Sequence, residues 1–192
     1  RYTRMLVGIY IGFEPPSVYS VQQCLKNAIL PKDWLNELWP DMAGRWEAYG
    51  IPILVLVDNG VEFKSGSFKE IGAALDMTIR LAPVRLPTYK GVVERFFRTI
   101  EDCCLSGLPG RTFSNPQVKG DYDAEKAATL TLEDFRKYFH FWMLAEYVWK
   151  VHSEILALPG MRWRQALRTW NPGLPKSRRD LDVVLSRRDT AK

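Results

Sequence analysis

The chain has 192 residues, 46% of them hydrophobic, enough apolar material for one domain with a real core. Its formal charge of +5 suits a polyanionic partner without requiring one. Cys24, Cys103 and Cys104 make an odd count with no CxxC pair, which argues against a disulfide framework or zinc site and for reduced thiols inside a cell. No apolar run is long enough for a membrane span, and no signal-peptide pattern opens the chain.

Residues 4–12 read as a strand, rich in β-branched and aromatic side chains. The chain opens at Arg1 rather than methionine and enters this strand almost at once, as a piece cut from a longer protein would. Pro15, Pro16 and Ser17 make a turn, with Ser17 as N-cap of a helix to residue 30; Val18, Val21, Leu25 and Ile29 form its apolar face, and Pro31 stops it. Residues 33–49, broken by Pro40, suggest two short helices bearing an aromatic cluster, more in keeping with core than with a binding box.

Residues 53–57 are a continuous apolar run, the pattern of a strand buried on both faces of a sheet. A helix over 67–76 and a strand over 77–82 follow, then a loop over 84–90 and a helix over 91–104 with Val93, Phe97, Ile100 and Cys104 as its buried stripe. Residues 105–130 are polar and rich in Gly and Pro, which suggests a functional or partner-ordered loop. Thr131 and Asp134 form a capping-box pattern that opens a long aromatic helix to about residue 151, apolar on two faces and therefore sandwiched. A last helix covers about 162–170. Residues 176–192 hold six Lys or Arg and three Asp, so net +3 of the total charge sits in this tail. Alternating strands and helices imply a layered α/β domain over 1–170, with 171–192 as a basic linker towards a following DNA-binding or barrel domain.

Two acids stand out. Asp58 closes the apolar run and begins Asp58-Asn59-Gly60-Val61-Glu62-Phe63; Glu94 lies in the 91–104 helix with 35 residues between them. Taken singly, Asp58 is an ordinary turn residue and Glu94 a first-turn acid favoured by the helix dipole or paired with Arg98. Taken together, they return to one sheet edge, where ligands of open α/β sheets bind. Two carboxylates meeting there repel unless cations bridge them, and hard oxygen donors favour Mg²⁺ or Mn²⁺. Two such ions about 3.5–4 Å apart activate an attacking oxygen and stabilise a leaving one at a phosphodiester. The two histidines offer no rival triad: His140 sits among Phe139, Phe141 and Trp142 as a core residue would, and His152 stands alone.

The segments 58–63 and 90–101 resemble the retroviral-integrase (DDE) superfamily. The longer pattern, Leu108-Pro109-Gly110-Arg111-Thr112 and then 130–135, resembles the TnsB-type transposases, relatives of the phage Mu transposase. The resemblance runs nearly the whole chain and implies an RNase H-like fold, a mixed central sheet flanked by helices with a C-terminal helical extension. It implies that Asp58 and Glu94 are metal ligands and catalytic residues, with a third acid just before Arg1, so that this fragment alone is inactive; Glu14 lies at the wrong end of its strand to replace it. It also implies that Lys90 contacts the DNA end, with Arg85, Arg95 and Arg98 as further phosphate contacts.

The implied activity is metal-dependent cleavage at transposon ends and 3′-OH strand transfer into target DNA. The implied setting is a homo-oligomer on DNA, cytoplasmic and nucleoid-associated in a bacterium, with an ATP-dependent regulator and a second nuclease subunit as partners; no residue here demonstrates either partner. Two alternatives stay open: a non-catalytic module of the same fold that binds DNA or scaffolds an assembly, and a nuclease that hydrolyses without joining.

Overall fold

The computed structural model describes residues 2–42, 44–83, 87–110, 123 and 128–186, with the backbone alone at 61, 62 and 87–90. Within it the chain forms α1 (Val18–Ile29), α2 (Trp34–Leu38), a 3₁₀ turn (Pro40–Met42), β1 (Leu54–Val57), α3 (Val61–Lys64), α4 (Gly66–Ala74) and β2 (Thr78–Leu81). There follow α5 (Pro87–Thr99), continued by a π-helical turn (Ile100–Leu105), then α6 (Leu132–Ala145), a 3₁₀ turn (Tyr147–Trp149), α7 (Pro159–Leu167) and α8 (Arg178–Leu185). No helix among the described residues is long and apolar enough to cross a membrane.

The helix starts are written in local chemistry. Ser17 caps α1 through a reciprocal box with Ser20, and Thr131 caps α6 through the same arrangement with Asp134. Pro159 sits at the start of α7, where its missing N–H costs nothing.

β1 and β2 pair in parallel, Leu54 opposite Thr78 and Val57 opposite Leu81, with α3 and α4 as the crossover. This small parallel sheet is the whole of the regular sheet among the described residues. One core lies against it: Leu25 and Ile29 of α1, Phe68 and Ile71 of α4, and Leu181 and Leu185 of α8 are buried together. A second core is helical and aromatic, built from Trp46, Ile100, Cys104, Phe139, Trp142, Met143 and Trp163. A fully buried side chain such as Ile29 or Phe68 contributes roughly 1.5–3 kcal/mol.

Several expectations change. Residues 4–12 do not form a strand, because the groups that would enter a ladder go to side chains instead. Tyr147 Oη donates to the Arg4 carbonyl at 2.9 Å, Trp46 Nε1 to that of Leu6 at 2.8 Å, and Arg136 Nε to that of Ile11 at 2.9 Å. The Ile9 N–H donates to Asn27 Oδ1 at 3.0 Å, and a Cβ at Gly8 would stand 2.6 Å from the Ala28 backbone, so only glycine permits this approach to α1. β propensity supplies a willing chain, but a strand also needs a partner.

β1 is not buried on both faces: Leu54 is 49% exposed, since a two-stranded sheet cannot cover both sides of itself. Residues 87–90, expected as loop, are the first turn of α5. In the long aromatic helix Phe141 is half exposed, so the second apolar face is only partly covered. That helix ends at Ala145, and the expected terminal helix runs from Pro159 to Leu167 instead. Within the segment expected as linker, residues 178–185 form α8, whose Leu181 is fully buried. Most of the 105–130 loop, including Arg111 and Thr112, lies outside the described residues.

Candidate active site

Asp58 follows the last residue of β1 and is exposed. Its Oδ1 accepts from the Gly60 N–H at 3.0 Å, an Asx turn that brings the chain round into α3. Asn59 Nδ2 donates to the Ala82 carbonyl at 3.0 Å, and the Ala82 N–H donates to the Val57 carbonyl at 2.7 Å. The carboxyl ends of both strands are thus stitched together beside Asp58. The turn role of Asp58 is real, and it leaves the carboxylate at the sheet edge where parallel sheets bind ligands.

The chain leaves β2 at that same edge and enters α5 at Pro87. Glu94 is the eighth residue of α5 and exposed, so it is no first-turn acid, and the dipole explanation lapses. The expected stripe is half wrong. Ile100 and Cys104 are buried, whereas Val93 is 55% and Phe97 59% exposed. The π-helical turn over Ile100–Leu105 breaks the 3.6-residue period, so apolar positions before and after it no longer share a face. Phe96 packs instead, its ring 5.1 Å from that of Tyr147.

Of the expected basic contacts, Arg98 is exposed in the last turn of α5. Arg95 is also exposed but pairs with Glu154, which pairs in turn with Arg4. Lys90 lies on the α5 backbone, and Arg85 lies outside the described residues. Glu14, set aside from the sequence, accepts from Tyr10 Oη at 2.9 Å. Glu154 was not singled out from the sequence. It sits in a polar turn closed by the His152–Ala157 bridge, and only tertiary contact distinguishes it from any surface acid.

Other reactive groups are structurally engaged. His140 lies among Trp34, Trp39, Trp46 and Phe139 with Nδ1 2.7 Å from the Arg136 carbonyl, and burial lowers its pKa. His152 Nδ1 accepts from the Glu154 N–H at 3.2 Å, and burial lowers its pKa too. Burial pushes the Cys104 thiol up to about 12. Lys32 is buried, donating to the Leu30 and Ala48 carbonyls at 2.8 and 2.6 Å beneath the Trp46 ring, and burial pulls its pKa down to about 7. An open cavity of about 360 Å³ beside it, lined by Trp46, Glu47, Tyr49 and Leu167, involves none of the candidate acids.

Asp58 and Glu94 supply the hard oxygen donors that Mg²⁺ or Mn²⁺ prefers. Among the described residues, no group of three or more His, Cys, Asp or Glu stands close enough to hold a metal, so these two acids fit the ion chemically without completing a site.

A family model described as the TnsB C-terminal domain matches residues 1–110. The chain is 27% identical over 184 residues to the transposase for transposon Tn552 of Staphylococcus aureus, covering 96% of this chain and 34% of that protein. It is 30% identical over 138 residues to the transposon Tn7 transposition protein TnsB of Escherichia coli, covering 70% of this chain and 19% of that protein. The chain therefore spans about a third of one curated relative and a fifth of the other.

Proposed function

The chain belongs to the TnsB C-terminal domain family, and from that premise we propose that it is the catalytic core of a DDE transposase with an RNase H-like fold. The observation that supports this best is the position of Asp58 at the carboxyl edge of the parallel pair, with α5 and Glu94 entered from the same edge. Asp58 and Glu94 act as metal-binding carboxylates, and a third acid comes from elsewhere in the intact protein. Bound Mg²⁺ or Mn²⁺ supplies activation of the attacking oxygen and stabilisation of the leaving one.

The work of the protein's own residues is to hold and orient. The Asn59–Ala82 bond fixes the strand ends that carry Asp58. Arg98 and Lys90 serve as contacts to the phosphates of transposon-end and target DNA, giving affinity that is salt-dependent and largely blind to sequence. In the first step water attacks the phosphodiester at the transposon end, and the P–O3′ bond breaks to leave a free 3′-OH. In the second that hydroxyl attacks a target phosphodiester in line, forming the new P–O bond as the target's own 3′-oxygen leaves with a proton.

The test uses the intact protein with paired transposon ends, target DNA and Mg²⁺ or Mn²⁺. Asp58→Asn and Glu94→Gln should each abolish both cleavage and joining while the variants keep their unfolding transition and DNA affinity. Well-folded variants that still transfer strands overturn the assignment. One observation favours a second reading, a non-catalytic DNA-binding or assembly module: the described residues hold no complete three-acid group. That reading expects DNA binding with no metal-dependent product from the wild-type protein.

A further inference from the structure

α5 is anchored at one end, and along it Val93, Glu94, Arg95, Phe97 and Arg98 are exposed. Its continuation carries Ile100 and Cys104 into the aromatic core, and Tyr138 Oη donates to the Cys104 carbonyl at 3.0 Å. Towards the N-terminus the attachment thins: Phe96 packs on Tyr147, Arg95 pairs with Glu154, and Val93 and Glu94 are exposed. Glu94 is therefore the first residue beyond the last described attachment of α5 to the body. It stands six residues from Ile100, about 9 Å along the helix axis, so a tilt of about 10° at the anchor moves it by roughly 1.5 Å.

Both attachments lead back to Arg4. Tyr147, whose ring meets Phe96, donates to the Arg4 carbonyl, and Glu154, which holds Arg95, also holds the Arg4 guanidinium. Arg4 is itself constrained. Its side chain is 11% exposed, its Nε is buried without a hydrogen-bond partner, and its φ of 55° lies in the left-handed region. The turn carrying Glu154 is held as well, by the Glu154 N–H bond to His152 Nδ1 and the His152 N–H bond to the Ala157 carbonyl at 3.0 Å. Arg95, at 64% exposure, is the most exposed member of the network.

We propose that Glu154 is a positioning residue, a latch that grips Arg95 to set the tilt of α5 and so hold the Glu94 carboxylate in register with Asp58. This rests on the reading of Glu94 as a metal ligand. Octahedral Mg²⁺ tolerates little error in its donors, and a displacement of about 1 Å at a reacting centre costs on the order of 100-fold. Arg95 then serves geometry rather than DNA affinity. Its partner Glu154 is shared with a nearly buried guanidinium, so it stays in place whether or not Arg95 is engaged.

The experiment uses the intact protein with Arg95→Gln, Glu154→Gln and the double variant. Arg95 is exposed, so Arg95→Gln should leave the unfolding transition unchanged. Amide hydrogen exchange across α5 should rise about 3- to 5-fold, the size expected for one partly exposed ion pair. The Mg²⁺ concentration for half-maximal strand transfer should rise several-fold, with the rate recovering at high metal, and DNA affinity should stay as in the wild type. The double variant should be no worse than Glu154→Gln alone in α5 exchange, because Glu154→Gln already removes the partner of Arg95 along with that of Arg4. Arg95→Lys should recover part of the effect.

Unchanged α5 exchange in Arg95→Gln overturns the latch. So does a fall in DNA affinity with a salt slope shallower by about 1, which makes Arg95 a phosphate contact. If instead Asp58→Asn keeps strand transfer, the catalytic reading fails, while the exchange measurement still decides whether Glu154 holds α5.

Discussion

Asn59 Nδ2 donates to the Ala82 carbonyl across 3.0 Å, so the residue next to Asp58 clamps the end of the neighbouring strand. The bond closes the carboxyl edge of a sheet that, among the described residues, has one ladder to hold it. Asp58 is therefore oriented from both sides, by its own Asx turn and by the adjacent clamp.

Asn59→Ala removes that clamp and should cost about 1 kcal/mol in urea unfolding, the usual net value of one hydrogen bond. On the proposed reading of Asp58 as a metal ligand, strand transfer should fall more than stability does, by about 10-fold, because a small shift at a ligand matters more to a reaction than to a fold. Parallel measurement of unfolding and joining rate checks this. Activity that drops only in proportion to the folded fraction leaves Asn59 a structural residue.

Leu181 tests whether α8 belongs to the domain. It is fully buried against α1 and α4, and Lys26 of α1 reaches Asp182 beside it at 2.5 Å. Leu181→Ala should destabilise by about 2–4 kcal/mol through lost burial and a cavity. Val183, 61% exposed on the same helix, should cost under about 0.5 kcal/mol as Val183→Ala. Equal and negligible effects would mean that 171–192 is a linker after all.

Lys32 predicts a pH dependence. Burial holds its folded pKa near 7, against 10.5 for an ordinary lysine, so the unfolded chain binds this proton more tightly. Below pH 7 both states carry it, and the fold bears the full cost of burying a cation, softened by the Leu30 and Ala48 carbonyls and the Trp46 ring. Stability therefore rises with pH between 7 and 10.5, at up to about 1.4 kcal/mol per pH unit, and levels off above that range. Unfolding free energies taken at successive pH values should show the rise in the wild type and a flatter profile in Lys32→Met. Identical slopes would remove Lys32 as its source.

Much of this was legible residue by residue. Ser17 and Thr131 cap their helices because a hydroxyl followed three residues later by a second acceptor satisfies orphan N–H groups wherever it occurs. The apolar run before Asp58 makes a strand, the 77–82 segment makes its neighbour, and His140 is the core residue its aromatic surroundings suggested. The helix stripe failed at Val93 and Phe97 because periodicity assumes an unbroken α-helix, and the π-helical turn that shifts the phase has no clear signature in residues 100–105. α8 was missed because its charge outweighs its two buried leucines when the tail is read alone.

The sequence by itself determined the family, the caps and the two strands, because each rests on contacts between residues near one another along the chain or on a motif carried intact. Only the tertiary structure decided that residues 4–12 bond to side chains rather than a ladder, that Arg95 is held by Glu154, and that Lys32 is buried against the Leu30 and Ala48 carbonyls. Those outcomes join residues far apart along the chain, 40 positions for Leu6 and Trp46 and 59 for Arg95 and Glu154, or depend on what closes over a side chain. Local spacing carries no information about either, since burial and pairing are properties of the packed chain.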